Sequence, residues 1–371
     1  MPTADELIGP DVARQLVAVI GRAVPGRPLP ALRSASAALA PLALRQRSDL
    51  LADALLADLA GDGGDDGELE AVVDAALADE TFSGWMIWPV SEALTTSALR
   101  SATPAAIDAA LDRLAMLTPR FTGEFAIRPL LEADLDRAVP IVLAWTRHPD
   151  EHVRRLASEG TRPFLPWAKR VNAILEHAQA TVAILDALYR DDSEYVRRSV
   201  ANHLNDLNRR ESELAVATAA RWLADPDRFT DAVVRRGLRT LVKQGHPGAL
   251  ALLGFHPAAE VVVTGPVLTA TTVSVGESLA FALTLHNGGV DEVRVAIDYV
   301  VHHVKANGTR TPKVFKLATR TLGAGERVTF DRRHSFRPIS TRRYHSGEHA
   351  IEVQVNGAAS GLVSFELVAP D

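Results

Sequence analysis

The sequence predicts a multidomain α plus β protein, in which an α-solenoid of stacked helices is followed by a β-sandwich. Up to about residue 255, Ala- and Leu-rich segments carry apolar residues at mixed three- and four-residue spacing, which is typical of amphipathic helices. Beyond that point, short alternating runs rich in β-branched residues are separated by turn signals, which is typical of strands. We therefore expect a helical domain at 1–255 and a β domain at 256–371, and 371 residues suit two or three domains.

The composition excludes several classes of chemistry. The chain has no cysteine, which rules out disulfides, thiolate zinc sites and cysteine nucleophiles. Its 47% hydrophobic and 23% charged residues are ordinary for a globular protein. The N-terminus shows no basic region followed by an apolar one, and no apolar run reaches about 18 residues. We therefore expect no signal peptide, no membrane association and a cytoplasmic location.

Charge is distributed unevenly along a chain whose formal net charge is −6. Residues 1–80 contain 6 Lys and Arg against 14 Asp and Glu, a balance of −8. Residues 302–345 contain 11 Lys and Arg against 2 Asp and Glu, a balance of +9. An acidic total can therefore hide a basic face for an anionic partner. The alternative is that the surface charge is merely uneven.

Four helices are predicted before residue 120, at 4–23, 31–60, 68–79 and 104–117. Thr103 suits the N-cap of the last of them, and Pro104 suits its first turn. The Gly-rich segment 61–67 is expected to be a surface loop, because it lacks the ligand order of an EF-hand. Trp85 and Trp88 are expected to anchor the helical core; the alternative is the aromatic wall of a pocket.

A repeated pattern follows. Helical segments at 134–146, 180–190 and 212–224 are each followed by an acidic turn and a helix containing Val-Arg-Arg. The valines are Val153, Val196 and Val234, at spacings of 43 and 38 residues. A period near 40 with two helices per unit is the signature of HEAT-like repeats.

The Val-Arg-Arg motifs contribute three pairs of arginines, Arg154 and Arg155, Arg197 and Arg198, and Arg235 and Arg236. Because they occupy equivalent places on the second helix of each unit, stacking aligns them on one face. The first arginine of each pair has two open interpretations. It either pairs with the preceding turn acid (Asp150, Asp191 or Asp225) or binds phosphate, whereas the second arginine is free to meet phosphate.

The C-terminal part reads as strands throughout. Alternating runs are found at Glu260–Thr264, Val267–Val273, Ser278–His286, Arg294–His303, Lys313–Leu317, Arg327–Phe336, Glu348–Val355 and Gly361–Val368. Seven or eight strands in about 110 residues predict an immunoglobulin-like β-sandwich. The basic span 302–345 lies on three of these strands and their loops.

Three short segments in the repeats carry unusual residues at helix ends: Glu124–Pro129, Ser158–Trp167 and Val196–Asp206. Adjacent units of a solenoid bring corresponding helix ends together, so Glu124, Glu159, Asp206 and Trp167 should face one groove lined by arginines. A groove built only for phosphate would exclude carboxylates, because anions repel. Carboxylates are useful where an oxocarbenium-like transition state develops, as when an N-glycosidic bond breaks, or where water must be oriented.

The same segments resemble the bacterial AlkC-type DNA glycosylases of the AlkC/AlkD superfamily. The resembling stretches are Glu124–Pro129, Ala144–Pro149, Arg154–Pro163, Leu165–Trp167, Tyr195–Asp206 and Gly245–Leu250, which together cover about 120–255. The C-terminal sandwich resembles the immunoglobulin-like domain of AlkC members. One departure is Phe164, where a basic residue is common in the family.

The resemblance implies a monofunctional glycosylase that removes N3- and N1-methylated bases from double-stranded DNA in base excision repair, without metal or cofactor. We expect a monomer, which suits a solenoid that clamps DNA. It implies catalytic roles for Glu124, Glu159, Trp167 and Asp206. Asp206 and Glu159 would lie near the deoxyribose, and Trp167 would contact the nucleotide. The candidate DNA contacts are Arg128, Arg154, Arg155, Arg162, Lys169, Arg197, Arg198, Arg235 and Arg236.

Two other functions remain as alternatives. A non-catalytic DNA-binding HEAT protein would not need the carboxylates and Trp167, and a protein-interaction scaffold predicts no salt-dependent affinity for DNA. The histidines show no His-Glu-x-x-His motif, so we expect hydrogen-bonded or surface imidazoles and no zinc site. For the β domain, the +9 balance of 302–345 suggests DNA contact by its basic strands.

Overall fold

The computed structural model describes residues 4–59, 66–256, 258–339 and 342–368. Most of the predicted loop at 61–67 lies outside these residues. The chain forms two compact units, Met1–Gly237 and Leu238–Asp371. The last helices therefore belong to the second unit, although the change from helix to strand comes near the predicted position 255. Arg294 explains this, since it donates to the carbonyl of Leu253 at 2.8 Å and lies over the Phe255 ring.

The first unit is helical. Its first eight α-helices are α1 (Pro10–Ala23), α2 (Pro30–Ala37), α3 (Leu44–Leu59), α4 (Asp66–Ala76), α5 (Ile87–Ser101), α6 (Pro104–Leu117), α7 (Ile127–Ala133) and α8 (Leu135–Ala144). They are followed by α9 (Glu151–Gly160), α10 (Asn172–Glu176), α11 (Val182–Leu188), α12 (Glu194–Leu207), α13 (Ser212–Ala224) and α14 (Thr230–Gly237). The second unit begins with α15 (Arg239–Lys243) and α16 (Pro247–Leu252).

The single helix predicted at 31–60 is wrong, because the chain turns between α2 and α3. Pro41 lacks a backbone N–H and disfavours helical geometry in the residue before it, so the helix cannot continue. The buried guanidinium of Arg47 binds the turn, donating to the carbonyl of Leu42 at 2.7 Å and to that of Ile8 at 3.2 Å. The break is therefore built into the core.

Two other local predictions are confirmed. The Thr103 hydroxyl accepts from the backbone N–H of Ala106 at 3.2 Å and caps α6. Trp88 is buried in the core, with its ring 4.7 Å from Phe125 and its Nε1 donating to Glu92 at 2.9 Å. Trp85 is partly buried and packs on Phe121.

The three Val-Arg-Arg motifs lie on α9, α12 and α14, as predicted. α12 packs directly against both α9 and α14, with its preceding helix α11 behind it. The contact with α14 is close: a Cβ on Gly237 would lie 2.6 Å from Leu204 Cδ2, so only glycine fits there. Helix ends from successive turns are thus brought side by side, which is the arrangement that the site requires.

The second unit contains eight strands within the described residues: β1 (Val261–Leu268), β2 (Thr272–Ser274), β3 (Ser278–Asn287), β4 (Val293–Val304), β5 (Arg310–Leu322), β6 (Arg327–Ser335), β7 (Gly347–Val355) and β8 (Ala358–Val368). They form a three-stranded sheet in the order β1-β3-β6 and a five-stranded sheet in the order β2-β8-β7-β4-β5. Apolar side chains from both sheets form one core, which includes Phe281 and Phe336. The expected two-sheet immunoglobulin-like domain is confirmed.

The first two predicted runs need a correction. The first run and the start of the second form one strand, because Thr264 pairs with Thr284 and Val267 still pairs with Ala282 after a shift in register. The end of the second run falls in β2, which belongs to the other sheet. Pro266 falls at this irregularity, where the loss of an N–H donor is tolerated. Among the described residues, no helix has the length and apolar character needed to cross a membrane.

Candidate active site

The three predicted carboxylates lie in one continuous row of alternating charges. In chain order the row consists of Glu124, Arg155, Glu159, Arg162 and Asp206, and we refer to these five residues as the charge row. Arg155 binds Glu124 and lies 3.4 Å from Glu159. Arg162 binds Glu159 at 2.5 Å and Asp206 at 2.8 Å. The prediction that these acids share one site is consistent with this geometry.

Helix geometry explains how the row is assembled. Arg155 and Glu159 are four residues apart on α9 and therefore lie on the same face. Arg162 follows directly after the end of α9, and Asp206 occupies the last turn of the adjacent α12. Glu124 reaches the row from the segment before α7. Two packed helices and two connecting segments thus supply all five charges.

The middle of the row is nearly dry. Glu159 is 6% exposed and Asp206 is 4% exposed. Ser199 on α12 donates to Glu159 at 2.6 Å and lies 3.0 Å from the Ser158 hydroxyl. Ser199 is a site residue that we did not predict, although its place seven residues before Asp206 puts both on one face of α12.

Burial and pairing act in opposite directions on the charges of the row. Burial raises the pKa of Asp206 above the usual value for Asp, and the hydrogen bond from Arg162 opposes this rise. For Arg162, burial alone would lower the pKa, but the bond to Asp206 and the charge of Glu159 raise it. Because three carboxylates face two guanidiniums, the ionised row has an excess of negative charge.

A buried histidine on α12 contacts the helix that carries Glu159. His203 on α12 is fully buried, with Nδ1 3.0 Å from the Ser158 carbonyl and Nε2 3.2 Å from the Thr181 hydroxyl. Burial lowers the pKa of His203 to about 3, so the imidazole is neutral at physiological pH. It joins α12 to α9 at the level of the carboxylates.

The structure contradicts a phosphate-binding role for Arg128. Its side chain is 2% exposed, and its guanidinium donates to the carbonyls of Gly160 at 3.2 Å and Arg162 at 2.8 Å. It also binds the carbonyl of Lys169. Arg128 therefore holds the loop that follows α9, and burial lowers its pKa to about 10.

That loop presents Trp167. The Trp167 side chain is 77% exposed, and its φ of 64° lies in the left-handed region that non-glycine residues seldom adopt. An exposed indole on a strained backbone contributes little to the core, and strain of this kind is concentrated at ligand sites. Lys169, two residues later, also has an exposed side chain. The structure thus leaves both predicted residues available to a ligand.

All three first arginines of the Val-Arg-Arg motifs have structural partners, but in the described structure none pairs with the carboxylate of its preceding turn acid. Arg154 binds Asp191 of the following turn at 2.7 Å, because α9 packs beside that turn. Arg197 binds backbone carbonyls of the turn before α12. Arg235 pairs with Asp231 in its own helix. Arg155 and Arg162, also expected to meet phosphate, are half-buried or buried within the charge row.

An arginine-rich groove of about 700 Å³ runs between α12 and α14. It is lined by Arg197, Arg198, Arg228, Phe229, Arg235 and Arg236, together with two acids, Glu194 and Asp231. Arg198 is exposed, and within the described part of the chain it forms no ion pair. Arg228 and Phe229 were not predicted; Arg197 lies 3.6 Å above the Phe229 ring. Four of the predicted DNA contacts therefore share one groove.

In the second unit, the basic span 302–345 falls on the two edge strands β5 and β6. Two of its arginines are paired, Arg310 with Glu348 and Arg320 with Glu326. Other basic side chains on these strands are exposed: Lys313, Lys316, Arg327, Arg332 and Arg333.

Comparisons with known proteins agree with this architecture. Residues 262–369 match a family model described as the C-terminal Ig-like domain of the uncharacterised protein YhaZ. The chain is 37% identical over 254 residues to the uncharacterized protein YhaZ of Bacillus subtilis, covering 68% of this chain and 70% of that protein.

A solved structure matches the whole chain. It is the Pseudomonas fluorescens alkylpurine DNA glycosylase AlkC bound to DNA containing an abasic site analogue. The sequence identity is 32%, the TM-score is 0.85 and the match covers 99% of both chains. This chain therefore belongs to the AlkC-type family of proteins, to which its sequence motifs are similar.

Proposed function

We propose that this protein is a DNA glycosylase of alkylation repair, which hydrolyses the N-glycosidic bond of cationic N3- and N1-methylated bases such as 3-methyladenine. The charge row carries this proposal, since three acids and two arginines are joined through contacts no longer than 3.4 Å. Membership of the AlkC-type family supports it, because the relative of known structure is an alkylpurine DNA glycosylase.

Binding to DNA requires basic surface, which the groove between α12 and α14 provides. Its five arginines outnumber its two acids, and guanidinium groups bind phosphate oxygens in bidentate geometry. We infer that the DNA backbone follows this groove toward the charge row at the far end of α12. On this proposal the helix pairs act as HEAT-like repeats and the protein works in the cytoplasm as a monomer.

The chemistry needs little acid catalysis. A methylated base is already a cation, so the C1′–N bond breaks with its electron pair passing to the base, which leaves neutral. The positive charge moves to the deoxyribose as an oxocarbenium ion. The excess negative charge of the row stabilises this developing cation, and stabilisation is strong because the site is nearly dry. Water then adds to C1′ and loses its proton.

We assign roles to the row as follows. Asp206 and Glu159 lie next to the deoxyribose, where one of them orients the water and accepts its proton. Ser199 and Arg162 fix the Glu159 oxygens. Trp167 stacks on the nucleotide from the exposed loop, where a cationic base and an indole attract each other by about 0.5–2 kcal/mol.

The first experiment is base release from duplex DNA containing 3-methyladenine, comparing the wild-type protein with Asp206→Asn. Asparagine keeps the volume and can still accept from Arg162, but it removes the charge. We expect the release rate to fall on the order of 10²–10³-fold, by analogy with the loss of other preorganised electrostatic groups. Asp225→Asn, which changes an exposed acid paired with Arg190 outside the row, is the matched control and should keep the wild-type rate.

DNA affinity is measured on the same samples. Full activity in both Asp206→Asn and Glu159→Gln, with binding unchanged, would refute the proposed chemistry. Binding without release by the wild-type protein would instead favour a non-catalytic DNA-binding role. Absence of both would favour a protein scaffold.

A further inference from the structure

Two arginines lie against the ring of Phe164, and the proposed chemistry uses neither of them. The guanidinium of Arg209 lies 4.5 Å from the ring centroid, and that of Arg170 lies 5.6 Å from it. Phe164 is half-buried, whereas both arginines are exposed. Within the described residues, neither guanidinium forms a hydrogen bond or an ion pair, so their N–H groups remain free for a ligand.

The three residues come from two places in the chain that converge on the charge row. Phe164 is two residues beyond Arg162, and Arg209 is three residues beyond Asp206, whose carbonyl accepts from the Arg209 backbone N–H at 3.3 Å. Arg162 and Asp206 are bound to each other at 2.8 Å. The arginines are therefore anchored at the Asp206 end of the row, and Arg209 is close enough to lower the pKa of Asp206.

The physical chemistry of this arrangement suits a phosphate. A guanidinium that rests on an aromatic ring uses its face for the contact and leaves its N–H edges directed outward. Two guanidiniums beside one ring carry like charges, and an anion bound by both offsets their repulsion. A phosphodiester supplies that anion, and its oxygens match the donors of two arginines.

We propose that Phe164, Arg170 and Arg209 form a phosphate clamp for the phosphodiester next to the reacting nucleotide, on the Asp206 side of the charge row. This assignment rests on the proposed function, since it places a DNA phosphate beside the deoxyribose. It gives Phe164 a purpose, because its ring is an aromatic platform for two cations. The clamp positions the sugar, and it contacts no reacting atom.

The test is a scan of single methylphosphonates, each of which removes one phosphate charge, in a duplex carrying an abasic analogue. For the wild-type protein, we expect about a tenfold loss of affinity when the clamped phosphate is neutralised, the usual scale of a hydrogen bond to a charged group. The double variant Arg170→Ala/Arg209→Ala should bind unmodified DNA about tenfold more weakly. It should also lose its sensitivity to that one methylphosphonate while keeping its sensitivity to the others.

Two further variants make the test specific. Arg210→Ala changes the neighbouring exposed arginine, which lies over no aromatic ring among the described residues, and should leave the pattern unchanged. Phe164→Leu keeps an apolar side chain but removes the platform, and we expect a smaller loss of affinity at the same phosphate. Wild-type affinity in the double variant, or the same loss in Arg210→Ala, overturns the clamp.

The outcomes also separate this inference from the proposed function. If the wild-type protein binds and excises while the double variant retains its sensitivity to the same methylphosphonate, only the clamp fails. If the wild-type protein does not bind DNA, both proposals fail together.

Discussion

The two units bury their polar groups in different ways. In the helical unit, Glu159, Arg162 and Asp206 are buried and charged, and each finds a partner of opposite charge in the charge row. In the β unit, imidazoles lie close together, with the His303 ring 6.0 Å from His334 and 5.8 Å from His349. One ring nitrogen of each of these three histidines is buried without a hydrogen-bond partner in the described structure.

The two units therefore bear different free-energy costs for burying polar groups. Burying a charge costs several kcal/mol of desolvation, which a partner offsets only with good geometry, so a buried row of charges points to a role other than stability. Neutral imidazoles are cheaper to bury and pack among aromatic rings such as Phe336. They remain neutral only above their pKa. Among the described residues no group of three or more His, Asp or Glu is placed to hold a metal ion.

The largest expected effect is a loss of stability when Arg162, which joins Glu159 to Asp206, is substituted. Arg162→Met leaves Glu159 and Asp206 buried without their shared cation, which should lower the free energy of unfolding by about 3–5 kcal/mol. Urea unfolding followed by tryptophan fluorescence measures this in the helical unit, because all five tryptophans precede residue 238. Arg198→Met, on the exposed face of α12, should change stability by less than about 0.5 kcal/mol.

A double variant shows whether the loss comes from the unpaired acids. Adding Asp206→Asn to Arg162→Met should restore part of the lost stability, since it removes one unpaired charge. A loss below about 1 kcal/mol in Arg162→Met would mean that water reaches the row and that the contrast between the units is false.

The second effect is the response of the β unit to acid. Burial lowers the pKa of His334 to about 4 and that of His303 to about 3, whereas an unfolded histidine titrates near 6.5. The unfolded state therefore binds more protons between these values, so stability is fully present above pH 6.5 and is lost as pH falls toward 4. At pH 4.5, the buried His334 alone should have lowered the free energy of unfolding by about 2–3 kcal/mol.

Hydrogen exchange of the full chain at pH 7 and pH 4.5, corrected for intrinsic rates, measures this loss in β4, β6 and β7. His334→Gln cannot take up the proton and should retain more protection at pH 4.5 than the wild-type protein. His286→Gln is the control. His286 lies on β3 and is half-buried, so this variant should behave as wild type. The helical unit also buries a histidine, His203, whose pKa is lowered to about 3, so this unit too should lose stability as the pH falls from 6.5 toward 4. Equal protection of β4, β6 and β7 in the wild-type protein and in His334→Gln at pH 4.5 would refute the prediction for the β unit.

Sequence patterns were sufficient for much of the fold because they report local periodicity. The positions of α9, α12 and α14 and of the strands follow from apolar spacing, and Thr103 follows from capping chemistry. The helix at 31–60 failed because its Ala- and Leu-rich spacing continues through Pro41. The fold resolves that conflict with the guanidinium of Arg47, whose partner Ile8 is 39 residues away.

The acidic residues of the candidate site could be predicted from the sequence, but the roles of its basic residues could not. Carboxylates in a helical repeat stand out because packing does not need them, so Glu124, Glu159 and Asp206 could be selected without a structure. An arginine has the same appearance whether it binds phosphate or backbone. The carbonyls bound by Arg128 are 32 to 41 residues ahead of it, and no local pattern reports such contacts. Ser199, Arg170 and Arg209 were missed for the same reason.

Substituting Trp167 should have a smaller effect on stability and activity. It tests the difference within the helical unit between Trp88, which is buried in the core, and Trp167, which is exposed. Because Trp167 is 77% exposed, Trp167→Ala should leave stability within about 0.5 kcal/mol of wild type. Trp167→Gly should be more stable than the alanine variant by about 1 kcal/mol, since its φ of 64° suits glycine. Both should slow base release by roughly 2- to 30-fold, the range of a lost cation–π contact. Normal release by the alanine variant would remove Trp167 from the site.

The smallest expected effect is on DNA affinity, when an exposed arginine of either unit is substituted. Arg198 on α12 and Arg333 on β6 are both exposed, and we expect both to meet DNA phosphates. Substituting either by alanine should weaken binding a fewfold and reduce the slope of log affinity against log salt by about 1, because one fewer counterion is displaced. Stability should not change, since neither side chain is buried. A reduced slope in Arg198→Ala alone would confine DNA contact to the helical unit and leave the β unit a structural role. Equal reductions would mean that both units contact the same ligand, although their cores bury polar groups so differently.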